Sequence, residues 1–271
     1  MKRNEEIHMK KILALVLSAL MLVLSVSVFA SCGSEKTVTV GYTIYEPMNY
    51  KDGSGKLVGF DTELAEKVFG ELGYKVVFKE IDWSAKYTDL ASGNIDCIWN
   101  GFTSNAADDD GVQRKEKVDF SYDYMENAQV VVVKTGSTVT SEADLSGKTG
   151  QAEAGSAGET YAKTFAGATI KTVLKQTDAL LEVNAGTADF AVLDAQLAKS
   201  YCGKGDYASL KIVDALTSDV EFYAIGFGKG SDLTAKVNEQ LEKLAKSGYL
   251  KELGEKYGVG GSVVTDFSDQ K

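Results

Sequence analysis

From Lys36 onward, short apolar runs alternate with helical patterns. Val38 to Tyr42 and Lys75 to Lys79 read as strands, and Thr62 to Leu72 as a helix whose Leu64, Ala65, Val68 and Phe69 share one face. Asp61 sits just ahead of that helix, where an N-cap carboxylate belongs. This alternation predicts βαβ units and parallel sheets. The valine run Val130 to Val133 and the apolar-aromatic run Glu221 to Phe227 read as strands crossing between two halves of the molecule. Toward the C-terminus, Leu233, Val237, Leu241 and Leu244 fall on one face of a helix from Leu233 to Ser247, stopped at Gly248.

A near-repeat organises the middle of the chain. Leu90-x-x-Gly93-x-x-Asp96 runs into Cys97-Ile98-Trp99, and Val183-x-x-Gly186-x-x-Asp189 runs into Phe190-Ala191-Val192-Leu193. Each copy reads as a helix end, a glycine stop and a buried strand. The first strand ends at Asn100-Gly101-Phe102-Thr103 and the second at Asp194, so each presents polar groups at a strand's carboxyl end, where open α/β sheets bind ligands. One copy in each half predicts two similar lobes facing a shared cleft.

Before Lys36 the pattern changes. Lys10 and Lys11 precede an apolar run, Ile12 to Phe29, that ends in Ala30 and Ser31 directly before Cys32. This is the pattern of a signal peptide over residues 1–31, favoured over a retained spanning helix by the small residues and the cysteine at its end. Met9 is an alternative start to Met1. His8 is the sole histidine of the 271 residues, so a chain beginning at Cys32 has none. Histidine-based acid–base chemistry, Ser-His or Cys-His nucleophiles and His-containing zinc sites are then excluded. Cys97 and Cys202 lack CxxC spacing and read as structural thiols.

Composition adds little beyond class. With 44% apolar and 25% charged residues the chain is globular, and 27 glycines against the lone Pro47 mark many turns but no proline-rich linker. Its net charge of −10 disfavours nucleic acid as a partner.

Phe29-Ala30-Ser31-Cys32 resembles a bacterial lipobox, with Phe29 where leucine is usual. That resemblance implies a lipid on Cys32 and attachment to the outer face of the cell membrane, outside the cytoplasm. Further along, Gly59-Phe60-Asp61-x-x-Leu64-Ala65, Ser92-Gly93-x-Ile95-Asp96 and Arg114-Lys115-x-Lys117-Val118-Asp119-Phe120-Ser121 resemble the polar amino-acid-binding family of ABC-importer substrate-binding proteins. So do Gly155-Ser156-Ala157-Gly158-Glu159, the strand ending at Asp194, and Tyr223 to Gly230. The resemblance spans residues 37 to 259. It implies a type II periplasmic-binding-protein fold: two α/β lobes, each a mostly parallel sheet with flanking helices, joined by two hinge strands. Lobe 1 would hold residues 37–126 and 225–271, lobe 2 residues 128–222, with crossings near Asn127 and Tyr223. It further implies a monomer without cofactor or catalysis that carries a free amino acid, or a cystine-like derivative, to a membrane permease.

The resemblance also assigns roles. Arg114 would clamp the ligand carboxylate, a task suited to its planar fork. Gly101 would add a backbone N–H and Thr103 a hydroxyl, with Asn100 alongside. Ser156 and Ala157 would start a helix whose free N–H groups favour an anion. Asp194 would accept the ammonium, and Tyr45, Trp83 and Phe102 would wall the side chain. Glu153 stands where many relatives have glutamine and either biases selectivity or is solvated. Ten residues, Ser104 to Gln113, separate Thr103 from Arg114 where the family usually has only a few. Within them Asp108-Asp109-Asp110-Gly111 reads as a solvated loop tip, with a calcium turn or a contact to a cationic ligand as alternatives, but without EF-hand spacing. Two competing functions are a ligand sensor for a separate membrane protein and a dehydratase using Glu153 or Asp194.

Overall fold

The alternating pattern folds into two sheet-bearing lobes. The computed structural model describes residues 35–270; the segment expected to be a signal peptide, His8 and Cys32 lie outside the described residues. Residues 37–271 form one compact unit. The first stretch comprises β1 (Lys36–Tyr42), a small hairpin of β2 (Tyr50–Lys51) and β3 (Leu57–Val58), α1 (Phe60–Glu71), β4 (Tyr74–Glu80), α2 (Lys86–Ala91), β5 (Cys97–Ile98), α3 (Arg114–Lys117) and β6 (Asp119–Phe120). The chain then crosses through β7 (Met125–Asn127) into β8 (Gln129–Lys134), β9 (Thr149–Glu153), α4 (Ala157–Ala162), β10 (Thr169–Val173), α5 (Gln176–Ala185), β11 (Phe190–Asp194), α6 (Ala195–Tyr201) and β12 (Leu210–Thr217). It returns through β13 (Glu221–Tyr223) to β14 (Gly226–Phe227), α7 (Asp232–Lys246) and α8 (Tyr249–Lys256).

The first sheet has the order β4-β1-β5-β14-β6 and the second β10-β9-β11-β8-β12. In the first, β1 and β5 are parallel while β14 opposes both β5 and β6. In the second, β9 is parallel to β10 and β11, and β8 opposes β11 and β12. The reversed strand of each sheet is the one the chain enters after crossing between lobes. The crossing strands β7 and β13 pair antiparallel, Glu221 opposite Asn127 and Tyr223 opposite Met125.

The valine run is therefore not itself a crossing strand. Val130 to Val133 are all buried, with Val130 and Val132 packed into the cluster of Leu180 and Val183 from α5, and Val131 and Val133 into that of Ala162 and Phe165. A strand covered on both faces reads as continuous apolar sequence because it is central.

The Gly-x-x-Asp repeat proves to be a strand clasp. Asp96 accepts the Thr39 N–H at 2.7 Å and its own N–H reaches the Thr39 carbonyl at 2.8 Å. Asp189 makes the same pair with Thr149, at 2.8 and 2.9 Å. In both lobes the repeat fixes the entry of a buried strand beside its parallel neighbour, which sets where that strand's carboxyl end emerges.

Helix α1 buries Phe60, Leu64, Ala65, Val68 and Phe69 as the periodicity predicts, but its N-cap is Gly59, not Asp61. Gly59 has φ 131°, and a Cβ there would come 2.1 Å from the Met48 carbonyl oxygen, so glycine alone fits. Asp61 lies inside the first turn, fully buried, and its Oδ2 accepts the Gly101 N–H at 3.0 Å. The C-terminal helix α7 covers the predicted segment, and α8 follows it after Gly248.

Candidate functional site

Strand register assembles a polar cluster at the hinge. Asp194 ends β11 directly opposite Gln129 of β8, while Glu221 of β13 pairs with Asn127 of β7. The two amides therefore lie between the two carboxylates and bridge them. Gln129 Nε2 donates to Asp194 at 2.7 Å and to Glu221 at 2.8 Å, and Asn127 Nδ2 donates to the same pair at 2.7 and 3.3 Å. Gln176, the first residue of α5, donates Nε2 to Asp194 Oδ2 and accepts the Asp194 backbone N–H. The Tyr45 and Tyr223 hydroxyls meet at 2.6 Å beside this cluster.

Two cations face it. Arg114 is 1% exposed; its Nε donates to Asp108 at 2.9 Å, its Nη atoms reach the carbonyls of Thr103 and Gly155, and its guanidinium lies 5.2 Å over the Phe102 ring. Lys86 is 2% exposed, with Nζ on the Gly155 and Trp83 carbonyls and over the rings of Trp83 and Tyr87. Gly155 belongs to the second sheet's lobe, so both cations already touch across the cleft.

Eight of the residues predicted for the site line one cavity, namely Trp83, Asn100, Gly101, Thr103, Arg114, Ser156, Ala157 and Asp194, and Glu153 and Gln176 join them. Its volume is about 10 Å³, on the scale of one water. A larger ligand therefore enters only as the lobes part. Tyr45 and Phe102 do not line this cavity: Tyr45 supports Tyr223, and Phe102 packs against Trp83 and Phe120 behind Arg114.

Several assigned donors are otherwise engaged. The Gly101 N–H goes to Asp61, and Gly101 has φ 58°, where an added Cβ would come 2.6 Å from the Tyr45 ring. The Thr103 hydroxyl donates to Glu221 at 3.2 Å, and the Asn100 amide is spent on Thr43 and Asn49. Ser156 caps α4 by accepting the Glu159 N–H, its own N–H goes to the Glu153 carbonyl at 3.2 Å, and the Glu159 carboxylate accepts the N–H of Gly155, the residue before the cap.

The acidic loop is not a solvated tip throughout. Asp108 turns inward to Arg114, Lys117 and Tyr87, and Asp110 also takes Lys117. Asp109 reaches across the cleft to Lys163 and to the Thr160 hydroxyl beyond α4 and on it. The Asp109–Lys163 pair is about half exposed on both sides, and such pairs contribute about 0.2–1 kcal/mol. Asp109→Ala is expected to weaken closure by that amount. The difference from the unaltered protein should vanish in calorimetric titrations at high salt; a salt-independent loss would contradict a latch role.

Burial pushes Asp61 up to about 7, Glu153 to about 8 and Glu221 to about 7, with the Asp194 charge adding to the last two. Asp194 itself is raised by burial, opposed by Gln176, Gln129, Tyr223 and Asn127. Lys86 is lowered to about 7 by burial and then by Arg114. Between about pH 5 and 7 the unfolded chain ionises Asp61, Glu153 and Glu221 while the folded one keeps protons on them, so stability falls as pH rises. Lys86 is charged in both states over that window and opposes the trend only above it. The ligand-free melting temperature is expected to rise as pH is lowered from about 7 to about 5. A fall would mean the carboxyls are ionised in the folded protein.

The sequence leaves Glu153 between selectivity and solvation and assigns no ligand role to Glu221, Lys86, Asn127, Gln129 or Gln176. Of these, Lys86 had a local signal, one helical turn past Trp83, and Glu221 another, a lone charge opening an apolar run.

Residues 38–260 match the family of bacterial extracellular solute-binding proteins, family 3. The chain belongs to that family. This solute-binding protein is 29% identical over 260 residues to the arginine-binding extracellular protein ArtP of Bacillus subtilis (strain 168), covering 93% of this chain and 99% of the relative. It is 30% identical to the L-cystine-binding protein TcyA of the same organism, over 89% and 96% of the two chains. Among solved structures, an ancestral arginine-binding protein bound to arginine superposes with a TM-score of 0.74 at 35% identity, over 82% of this chain and 97% of the other. The two-lobed type II binding fold read from the sequence is the fold of these relatives.

Proposed function

We propose that this protein binds a free amino acid between its lobes and delivers it to an ABC importer, with Arg114 receiving the carboxylate and Asp194 the ammonium. The observation that carries this reading is that opposite, deeply buried charges from the two lobes face one cavity. A zwitterion meets both at once, and in a dry cleft each of its charges needs a partner. Ala157 supplies a further N–H and Ser156 a hydroxyl on the carboxylate side, and Trp83 supplies an aromatic wall. The lobes, residues 37–126 with 225–271 and residues 128–222, turn about β7 and β13, opening the cavity and closing it over the ligand. The relatives' arginine- and cystine-binding names support an amino-acid ligand.

Lipid on Cys32 holds the protein at the outer membrane face as a monomer beside its permease. It releases unchanged what it carries, a reading supported by the binding-protein names of the relatives. A thermal-shift panel of the amino acids and cystine tests the ligand class, because a binder raises the melting temperature by mass action. Recovery of the ligand unchanged is expected, and turnover or silence across the panel would overturn the reading. Loss of membrane retention in Cys32→Ser checks the anchor.

A further inference from the structure

We propose that Glu153 reads the ligand's side chain and selects a basic amino acid, whose side-chain cation its carboxylate takes as partner. This rests on the reading of the cleft as an amino-acid site.

Glu153 ends β9, is 3% exposed and lines the cavity with Arg114, Asp194 and Trp83. Its Oε1 is buried with no hydrogen-bond partner among the described residues. An acceptor in that position carries a full desolvation cost until a donor reaches it. The other charges of the cavity are committed: Arg114 to Asp108 and the ligand carboxylate, Asp194 to three amides and the ligand ammonium. A zwitterion with a neutral apolar side chain would leave Glu153 buried and unmatched. A side chain ending in an ammonium or guanidinium supplies both the missing donor and the positive charge that an ionised Glu153 requires.

The groups that act on Glu153 from neighbouring elements are Asp194, Lys86, Asp82 and Gln176. Lys86 is the cation that competes with a basic ligand, yet its Nζ is turned to the Gly155 and Trp83 carbonyls. Because burial and Asp194 hold Glu153 protonated near neutrality, a cationic side chain ionises it and expels a proton. Binding of a basic ligand thus strengthens as pH rises toward 8, whereas glutamine binding lacks this term.

The test is calorimetric titration of the protein, Glu153→Gln and Lys86→Met with arginine, lysine, glutamine and norleucine, in buffers of different ionisation enthalpy. Arginine or lysine is expected to bind at least about tenfold tighter than glutamine and norleucine, with proton release, and Glu153→Gln to erase that margin while keeping glutamine affinity. Lys86→Met should widen it, which keeps the idea testable if Glu153→Gln fails to fold. Equal or tighter binding of glutamine or norleucine, or a uniform loss for all four ligands in Glu153→Gln, would overturn the role of Glu153 while leaving the amino-acid site standing. Binding of none of them, nor of any other amino acid, would overturn both.

Discussion

Replacing Asp194 by asparagine is expected to cost about 2–5 kcal/mol of amino-acid affinity, the scale for truncating one partner of a buried charge pair. The side chain keeps its shape, but the ligand ammonium loses its counter-charge. The new amide also turns donors toward Asn127, Gln129 and Gln176, all of which donate to the native carboxylate. Stability is expected to change less. Asp194 is 6% exposed and burial raises its pKa, so removing the charge spares a desolvation cost, while the mismatched donors around the new amide add one. The variant is expected to melt no higher than the native protein while binding is lost. Calorimetry beside thermal unfolding separates the two effects. Retention of near-native affinity by a folded Asp194→Asn would remove Asp194 from the site.

A comparable loss, again about 2–5 kcal/mol, is expected for Arg114→Ala. Its guanidinium is fixed from three sides, by Asp108 at Nε, by the Thr103 and Gly155 carbonyls at the Nη atoms and by the Phe102 ring beneath. Arg114→Lys should not rescue binding, because an ammonium cannot hold Asp108 and fork to a carboxylate together. Asp108→Asn keeps the arginine in place but frees its torsions, so a smaller loss is expected. Rescue by lysine to native affinity would show that only a positive charge is required there. Equal losses in Arg114→Ala and Asp108→Asn would instead place the effect in the loop.

Much of the fold was legible because its determinants are local. The two Gly-x-x-Asp segments, the apolar face of α1 and the all-valine β8 each announce themselves within ten residues. What sequence could not supply were partners distant along the chain. Asn127 and Asp194 lie 67 residues apart and Gln129 and Glu221 lie 92 apart, joined only by the register of β7, β8, β11 and β13. The same limit made Asp61 look like a helix cap: its carboxylate belongs to Gly101, 40 residues on. Glu153 was left between selectivity and solvation because periodicity reports that a strand has ended, not whether its last side chain is covered. Asp108-Asp109-Asp110-Gly111 read as a solvated tip because three successive carboxylates give no sign of which one turns inward, although Arg114 and Lys117, two of Asp108's partners, lie only six and nine residues on.

The order of strands also sets a timetable for folding. Every strand of the second sheet lies between Gln129 and Thr217, in one uninterrupted stretch. That sheet has all its parts as soon as the stretch is synthesised. The first sheet stays split until β14, residues 226 and 227, slides between β5 and β6. Growing from the N-terminus, the chain completes its inserted half before the half that started first, and the earlier lobe remains an open, unsealed sheet until about five sixths of the protein has been made.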